Sequence, residues 1–390
     1  MMNSLTTMDK ILRSVYLDAV TQNLNKNTNL FYNKIEKSSA NVYGKEVVAT
    51  CSFGLNGGVS AVPETSDLPT STYTDYLNLR AELVNIYGNI EFSDKLVRMS
   101  NKGASTPVDI INTELENLLY AARFNLRRML FQNGSGELAT ITEMASTGSS
   151  LIVVDNTRNL AKGMVIDGMS GDSLMFGGYR IVSIDKATNT IKLDNSLPSV
   201  LSIGDKLYMR NSFDSEIFGI PYLFDDSIPT FYGNTRSVVS YAKPIKHHSS
   251  YLDIDTMQQC LDLVEEAGTT EPNIILCDYN LRREYFTGLR KYGISIDYAE
   301  VDGYKVPVCS GIPICADSFI APNTGYVLNT DDFVLAQLND WSWVEGIGDS
   351  ILQPMANKAG YSATLVKYCN LLCTRPNGQL QFTYEATMQG

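Results

Sequence analysis

Long apolar runs are missing from this chain, and so is most of the chemistry that histidines and paired cysteines support. No stretch approaches the roughly 20 apolar residues that a membrane-spanning helix needs, and the mean hydropathy is -0.09. The opening MMNSLTTMDK lacks the basic start and apolar core of a secretory signal. Folding in the cytosol of the producing cell is therefore expected, with no membrane partner. Only two histidines occur, His247 and His248, so a hydrolase triad or a zinc site would have to draw on this adjacent pair. The seven cysteines (Cys51, Cys260, Cys277, Cys309, Cys315, Cys369 and Cys373) are odd in number and form no C-x-x-C. That pattern favours buried free thiols over a disulfide frame or a metal knuckle. Neither a metal nor a cofactor is expected. Basic charge is scarce too: 31 Lys and Arg against 43 Asp and Glu leave a formal charge of -12. This argues against a nucleic-acid reader, which would show a basic face or stripe.

Catalytic signatures fail on inspection. Gly171-Asp172-Ser173-Leu174 matches the nucleophile block of one esterase family, and Gly348-Asp349-Ser350 echoes it. The reaction needs a base for the serine proton, and no Asp-x-x-His surrounds either histidine. Gly134-x-Gly136-x-x-Ala139 imitates a dinucleotide fingerprint but follows a helical segment where a strand is required. A serine hydrolase using Ser173 or Ser350 is the enzymatic alternative, and the chain is read as a non-enzyme.

What is present is organised by length. The 22 Tyr and 14 Phe against 2 Trp suit a strand-rich protein with large contact surfaces. Residues 6–24 carry an amphipathic helix pattern through Ile11, Leu12, Val15 and Tyr16, on a polar tether. A strand is expected at Gly44–Phe53 and breaks at Asn56-Gly57-Gly58. A polar stretch containing Glu64 and Asp67 follows, and the chain returns through Tyr76–Phe92, where Leu77, Leu79, Ala81 and Leu83 alternate with polar residues. A hairpin this long cannot bury its tip at home, and such arms lie across a neighbour. Next, Thr106 and Pro107 start a helix whose apolar stripe (Ile111, Leu115, Leu118, Leu119, Ala122, Leu126, Met129 and Leu130) ends before Gly134. Late Arg127 and Arg128 complement its dipole.

Glu137–Phe213 reads as a separate small β barrel or sandwich. Its strands are expected at Leu151–Val154, Met164–Asp167, Tyr179–Ile184, Thr190–Leu193 and Lys206–Met209. From Asp253 the pattern turns mixed, with helices to Glu266 and over Tyr279–Lys291. Strands follow at Asn273–Cys277, Lys305–Val308 and Ile312–Ala316, and a loop spans Lys291–Asp302.

The order of parts carries a resemblance. An N-terminal helix, then KIEKSSANVYGKEVV, the arm GLNGGVSAVPETSDLP, a strand ending YGNIEFSDK and a spine helix together resemble the major capsid protein of tailed bacteriophages. The segment VDGYKVPVCSGIPICADSFIAPNTGYVLNTDDF is similar to that family's axial domain, and KYCNLLCTRPNGQLQFTYEA to its closing strands. The resemblance implies an α+β, Hong Kong-type capsid fold: residues 1–43 an N-terminal arm, 44–100 the extended β arm, 101–136 the spine helix, 137–213 an inserted β domain on the outer face, 214–345 the axial domain and 346–390 closing strands of the peripheral domain. It further implies self-assembly as hexamers and pentamers into an icosahedral head enclosing double-stranded DNA, in the virion after assembly in the bacterial cytoplasm. A portal, a separate scaffolding protein and a decoration protein are the implied partners. The arm tip (Asn56, Gly57, Gly58, Glu64 and Asp67) and the N-terminal helix (Ile11, Leu12, Val15 and Tyr16) become candidate inter-subunit contacts, and Tyr292, Asp297 and Glu300 a candidate axial loop. An encapsulin-like nanocompartment shell is the alternative with the same fold. Relatives that cross-link subunits use an arm lysine, whereas Leu55–Thr72 contains none.

Overall fold

The strand Gly360–Cys373, fourteen residues long, organises the larger part of this protein. The computed structural model describes residues 30–385 apart from 55, 101–104, 238, 240–241, 251, 268–270, 302–303 and 347–350. The N-terminal helix candidates Ile11, Leu12, Val15 and Tyr16, and also Ser350, lie outside the described residues. The chain divides into two units. One holds the described residues of Met1–Ala122, Leu223–Ala316 and Pro322–Gly390; the other holds Arg123–Tyr222 with Asp317–Ala321.

In the first unit, Gly360–Cys373 pairs along its length with Val84–Ser93 on one edge. On the other edge it pairs with Phe333–Gln337 and Ser342–Trp343. A second, seven-stranded sheet runs Ile245–Ser249, Leu380–Tyr384, Thr324–Leu328, Ile274–Cys277, Ile312–Ala316, Tyr304–Cys309, Tyr298–Val301. Helices Ile254–Glu266 and Tyr279–Lys291 pack on this sheet through Met257, Cys260, Leu261, Leu281 and Tyr285 against Ile275, Ile314 and Phe382. Each begins with an aspartate cap: Asp253 accepts from Thr256 N at 2.8 Å, and Asp278 from Leu281 N at 3.0 Å.

Two expectations are corrected here. The arm's return is not one strand: it leaves the arm sheet after Asp75–Glu82 and joins the six-stranded sheet as Val84–Ser93. Leu83 is the pivot, its N–H donating to Lys45 O at 2.8 Å. A boundary at 345/346 also marks no change of sheet. Phe333–Gln337 pairs with Gly360–Cys373, whereas Leu380–Tyr384 pairs with Thr324–Leu328 in the seven-stranded sheet. The closing strands are thus divided between the two sheets.

The spine helix spans Ser105–Leu130, 26 residues and about 39 Å at ~1.5 Å each. Its stripe is buried as the periodicity requires, at Ile111, Leu115, Leu119, Ala122, Leu126, Met129 and Leu130. Its last turn lies in the second unit, where Gly219 packs on the helix end. A Cβ at Gly219 would sit 2.5 Å from the Met129 and Leu130 carbonyl oxygens, so only glycine fits.

Beyond Gly134, which takes φ +92° as a helix terminator, comes a six-stranded antiparallel sheet in the order Glu137–Thr140, Lys206–Met209, Val165–Ser170, Ser173–Asp185, Thr190–Leu193, Leu151–Val153. Its two edges meet: Thr142 N donates to Val153 O at 3.1 Å, and Asp155 N to Thr140 O at 2.9 Å. The sheet therefore closes into a barrel, which removes its free edges. Its core, including Leu138, Ile152, Ile166, Phe176, Ile181, Ile191, Leu201 and Leu207, is drawn from within the barrel, with Phe124 of the spine packed against it. Excised with a short Gly/Ser linker joining its ends, Glu137–Phe213 should give a cooperative β-type thermal transition by circular dichroism. A disordered fragment would show that its core depends on the rest of the subunit.

The chain's way into the barrel and its way out run side by side. Asp214 N donates to Ser135 O at 2.9 Å, and Glu216 N to Gly134 O at 3.2 Å. Behind them, Arg128 and Glu216, both fully buried, form a two-pronged pair, with Nη1 to Oε2 at 2.9 Å and Nη2 to Oε1 at 2.5 Å. Arg128, read from the sequence as a partner of the helix dipole, is thus also half of a buried ion pair. Arg127 makes a separate bond, Nε to Asp317 Oδ2, at 2.9 Å.

Candidate functional site

The arm is an eight-residue antiparallel pairing of Glu46–Phe53 with Asp75–Glu82, in register from Glu46 opposite Glu82 to Phe53 opposite Asp75. Alternation puts Val47, Ala49, Cys51, Phe53, Leu77, Leu79 and Ala81 on one buried face. Thr50 Oγ1 donates to Asn78 Oδ1 at 2.7 Å on the other. The base of the arm is thus part of its own unit's core.

Beyond Phe53 the character changes. Gly54 takes φ +82°, and every described residue from Gly54 to Tyr76 is exposed or half-buried. Of the candidates, Asn56 organises the tip: its Oδ1 accepts from Gly58 N at 2.9 Å and from Thr72 Oγ1 at 3.3 Å. Gly57 and Gly58 allow the two limbs to close, with a Cβ at Gly57 reaching 3.0 Å from Thr72 Oγ1. Glu64 and Asp67 are exposed in the loop between them. Sequence reasoning described this tip as polar and passed over its apolar residues. Val59, Leu68 and Tyr73 are 87, 86 and 94% exposed, and Tyr76 is also open. Single exposed apolar side chains are ordinary, and four at this end of the arm make the tip the candidate contact surface.

A second hairpin, which the sequence reading missed, grips the arm base. Thr230–Phe231 and Asn234–Thr235 flank a turn with Tyr232 at φ +44° and Gly233 at φ +78°, a left-handed pair that hairpins favour. Tyr232 O accepts from Arg80 N at 2.9 Å, and Asn234 Nδ2 donates to Asn78 O at 2.9 Å. The buried Tyr232 hydroxyl lies 3.3 Å from Leu371 O on the long strand. Aromatic-Gly-Asn between short apolar runs was the signal available.

Tyr292, Asp297 and Glu300 do not share one loop. Tyr292 caps the helix Tyr279–Lys291, its N–H donating to Gly288 O at 3.2 Å. Asp297 O accepts from Val308 N at 3.0 Å. Glu300 lies in the edge strand Tyr298–Val301, opposite Lys305. All three are exposed. The expected loop over Lys291–Asp302 thus ends in a strand, Tyr298–Val301, and Asp302-Gly303 between two strand-forming runs was the hairpin signal that went unread.

Ser173 stands on a hairpin turn, paired with Ser170 across Gly171-Asp172, and is exposed. His248 Nδ1 is 3.0 Å from Thr383 Oγ1 on neighbouring strands. Among the described residues no group of three or more His, Cys, Asp or Glu could hold a metal ion, and no helix is long and apolar enough to cross a membrane. All seven cysteines are buried and free. Burial pushes the Cys260 thiol up to about 12 and the Cys369 thiol up to about 11. A thiol-specific chromogenic reagent at pH 8 should therefore titrate almost no cysteine in the native protein and seven after unfolding. Rapid native reaction would refute this assignment.

No protein-family model and no curated protein matches the chain. Solved structures do. A chain of the cyanophage A-1(L) capsid asymmetric unit aligns at TM-score 0.53 and 12% identity, covering 91% of both chains. The fold is that of a phage capsid protein. Lower-scoring likenesses are a Mycobacterium phage Bobi chain (TM-score 0.47, 8% identity, 92% of this chain and 91% of that one) and the SrpI encapsulin of Synechococcus elongatus (0.46, 10%, 90% and 84%). The chain is accordingly mixed α and β.

Proposed function

We propose that this chain is the major capsid protein of a tailed double-stranded DNA phage, assembling with itself as hexamers and pentamers into an icosahedral head. The projecting arm supports this reading most directly: its base is built into its own core while Val59, Leu68, Tyr73 and Tyr76 face outward. Likeness to a chain of the cyanophage capsid asymmetric unit supports a second copy of this chain as the partner of that surface. The chain is read as structural rather than enzymatic, a reading supported by its capsid fold and by Ser173 standing exposed where two strands join. Its acidic composition, at a formal charge of -12, fits a wall that encloses DNA without gripping it. A separate scaffolding protein, a portal and a decoration protein are its proposed partners, the barrel standing on the outer face. Electron microscopy of the purified protein, expressed with the scaffolding and portal proteins of its own phage, tests the reading. Closed icosahedral particles that package DNA are expected. Particles that enclose a cargo protein and no DNA would favour a nanocompartment, and a permanent monomer would overturn both.

The arm tip supplies no lysine between Leu55 and Thr72. Mature shells boiled in denaturant and reductant should then run as one band of 43.1 kDa. A ladder of multiples would overturn this, with Lys95 the first residue to test.

A further inference from the structure

Lys367 lies within the long strand Gly360–Cys373 and is fully buried. Its Nζ is 2.6 Å from Gln337 Oε1 and 2.8 Å from Asp340 Oδ1, and the Trp341 ring covers it at 5.7 Å. Strand pairing explains the meeting. Gln337 stands opposite Cys369, two residues beyond Lys367, so amine and carboxamide leave adjoining strands on the same side of the sheet. Asp340 Oδ1 is held in place by the N–H of Trp341 at 2.8 Å.

A solvated lysine amine is protonated and a poor nucleophile. The Asp340 carboxylate also acts through space on a second amine, that of Lys37. Burial holds the half-buried Lys37 below its ordinary range and Lys367 lowers it further, while Asp340 opposes them. The other titratable groups here, Tyr32 and Cys369, are kept neutral chiefly by burial. The Asp340 carboxylate, 2.8 Å from the Lys367 amine, stands where it can take the proton that the nitrogen must lose when it attacks a carbonyl carbon.

We propose that Lys367 and Gln337 become joined by an intrachain isopeptide bond, with Asp340 moving the proton. Rotation about the last torsion of Gln337 swings Oε1 aside and presents a face of its carboxamide carbon to the amine. The neutral Nζ attacks Cδ, and the Asp340 carboxylate takes a proton from the nitrogen in the tetrahedral intermediate. Asp340 then passes it to Nε2, which leaves as ammonia. One C–N bond forms, one breaks, and no electron donor or acceptor is needed. The product ties together two neighbouring strands of the six-stranded sheet within one subunit, so chains still separate singly on a denaturing gel.

Mass spectrometry of the purified full-length chain, denatured, tests this whether or not the chain forms shells. The intact mass should fall about 17 Da below that of the unmodified chain, the mass of one ammonia. Trypsin should fail to cut after Lys367, and the peptide 306–358, which holds Gln337, should remain attached to the one beginning at Ala359. Asp340→Asn, with both partners intact, should restore the full mass, as should Lys367→Met. A wild-type chain of unmodified mass that is cleaved after Lys367 overturns the proposal, even if the variants fail to fold. A loss of about 18 Da with the branch on Asp340 overturns Gln337 as the acceptor. A bond persisting in Asp340→Asn overturns the role of Asp340.

Discussion

Replacing Glu216 with glutamine should destabilise the unit Arg123–Tyr222 by about 3–5 kcal/mol, because it strands the Arg128 guanidinium in a fully buried site. A buried two-pronged pair is costly to assemble, but once formed neither member can lose its partner cheaply. Both tryptophans, Trp341 and Trp343, lie in the other unit, so their fluorescence should report an unchanged unfolding transition. Amide hydrogen exchange should show the loss directly, as a fall in protection across residues 123–222 of roughly two to three orders of magnitude. The double substitution Arg128→Met with Glu216→Leu should recover most of the stability, since it removes both charges together. Unaltered exchange in Glu216→Gln would show that the pair is not a keystone of this unit.

Deleting Leu55–Thr72 should leave a soluble, folded subunit that no longer builds normal shells. The deletion starts beyond the last pairing of the arm, Phe53 opposite Asp75, and leaves Gly54, Tyr73 and Thr74 to connect the strands. It removes Val59 and Leu68, which have little contact with their own chain, so the monomer's thermal transition should move little. If the arm covers a neighbouring copy, closed particles should be lost and aberrant assemblies or free subunits remain. Wild-type yields of normal shells from the deletion variant would sink this role for the arm.

Local signals made much of this architecture legible. Alternation at Leu77, Leu79 and Ala81 marked a half-buried strand, and Asp253 ahead of an apolar periodicity marked the helix ending at Glu266, because these effects act over a few residues. Regular turn spacing likewise exposed five of the six barrel strands, while Glu137–Thr140 passed unnoticed as a four-residue edge. Pairing across great sequence distance left no such trace. Nothing near Leu83 announces that Val84–Ser93 will pair with Gly360–Cys373, and nothing near Arg128 points to Glu216. The tip was misjudged because Val59, Leu68 and Tyr73 are interrupted by Pro, Ser, Thr and Asp, which lower local hydropathy while leaving each apolar side chain available. The exposure of these side chains follows from the fold of the loop, which local composition does not report.

The paired limbs at Gly134–Ser135 and Asp214–Glu216 make the barrel a replaceable cassette. A foreign domain whose own termini lie within about 10 Å of each other can be spliced between them without asking the spine helix to move. The graft should keep Gly134, Gly136, Glu216 and Gly219, which form the seam, and discard only what lies between. Antigens or enzymes mounted this way would appear once per subunit, at a spacing dictated by the lattice.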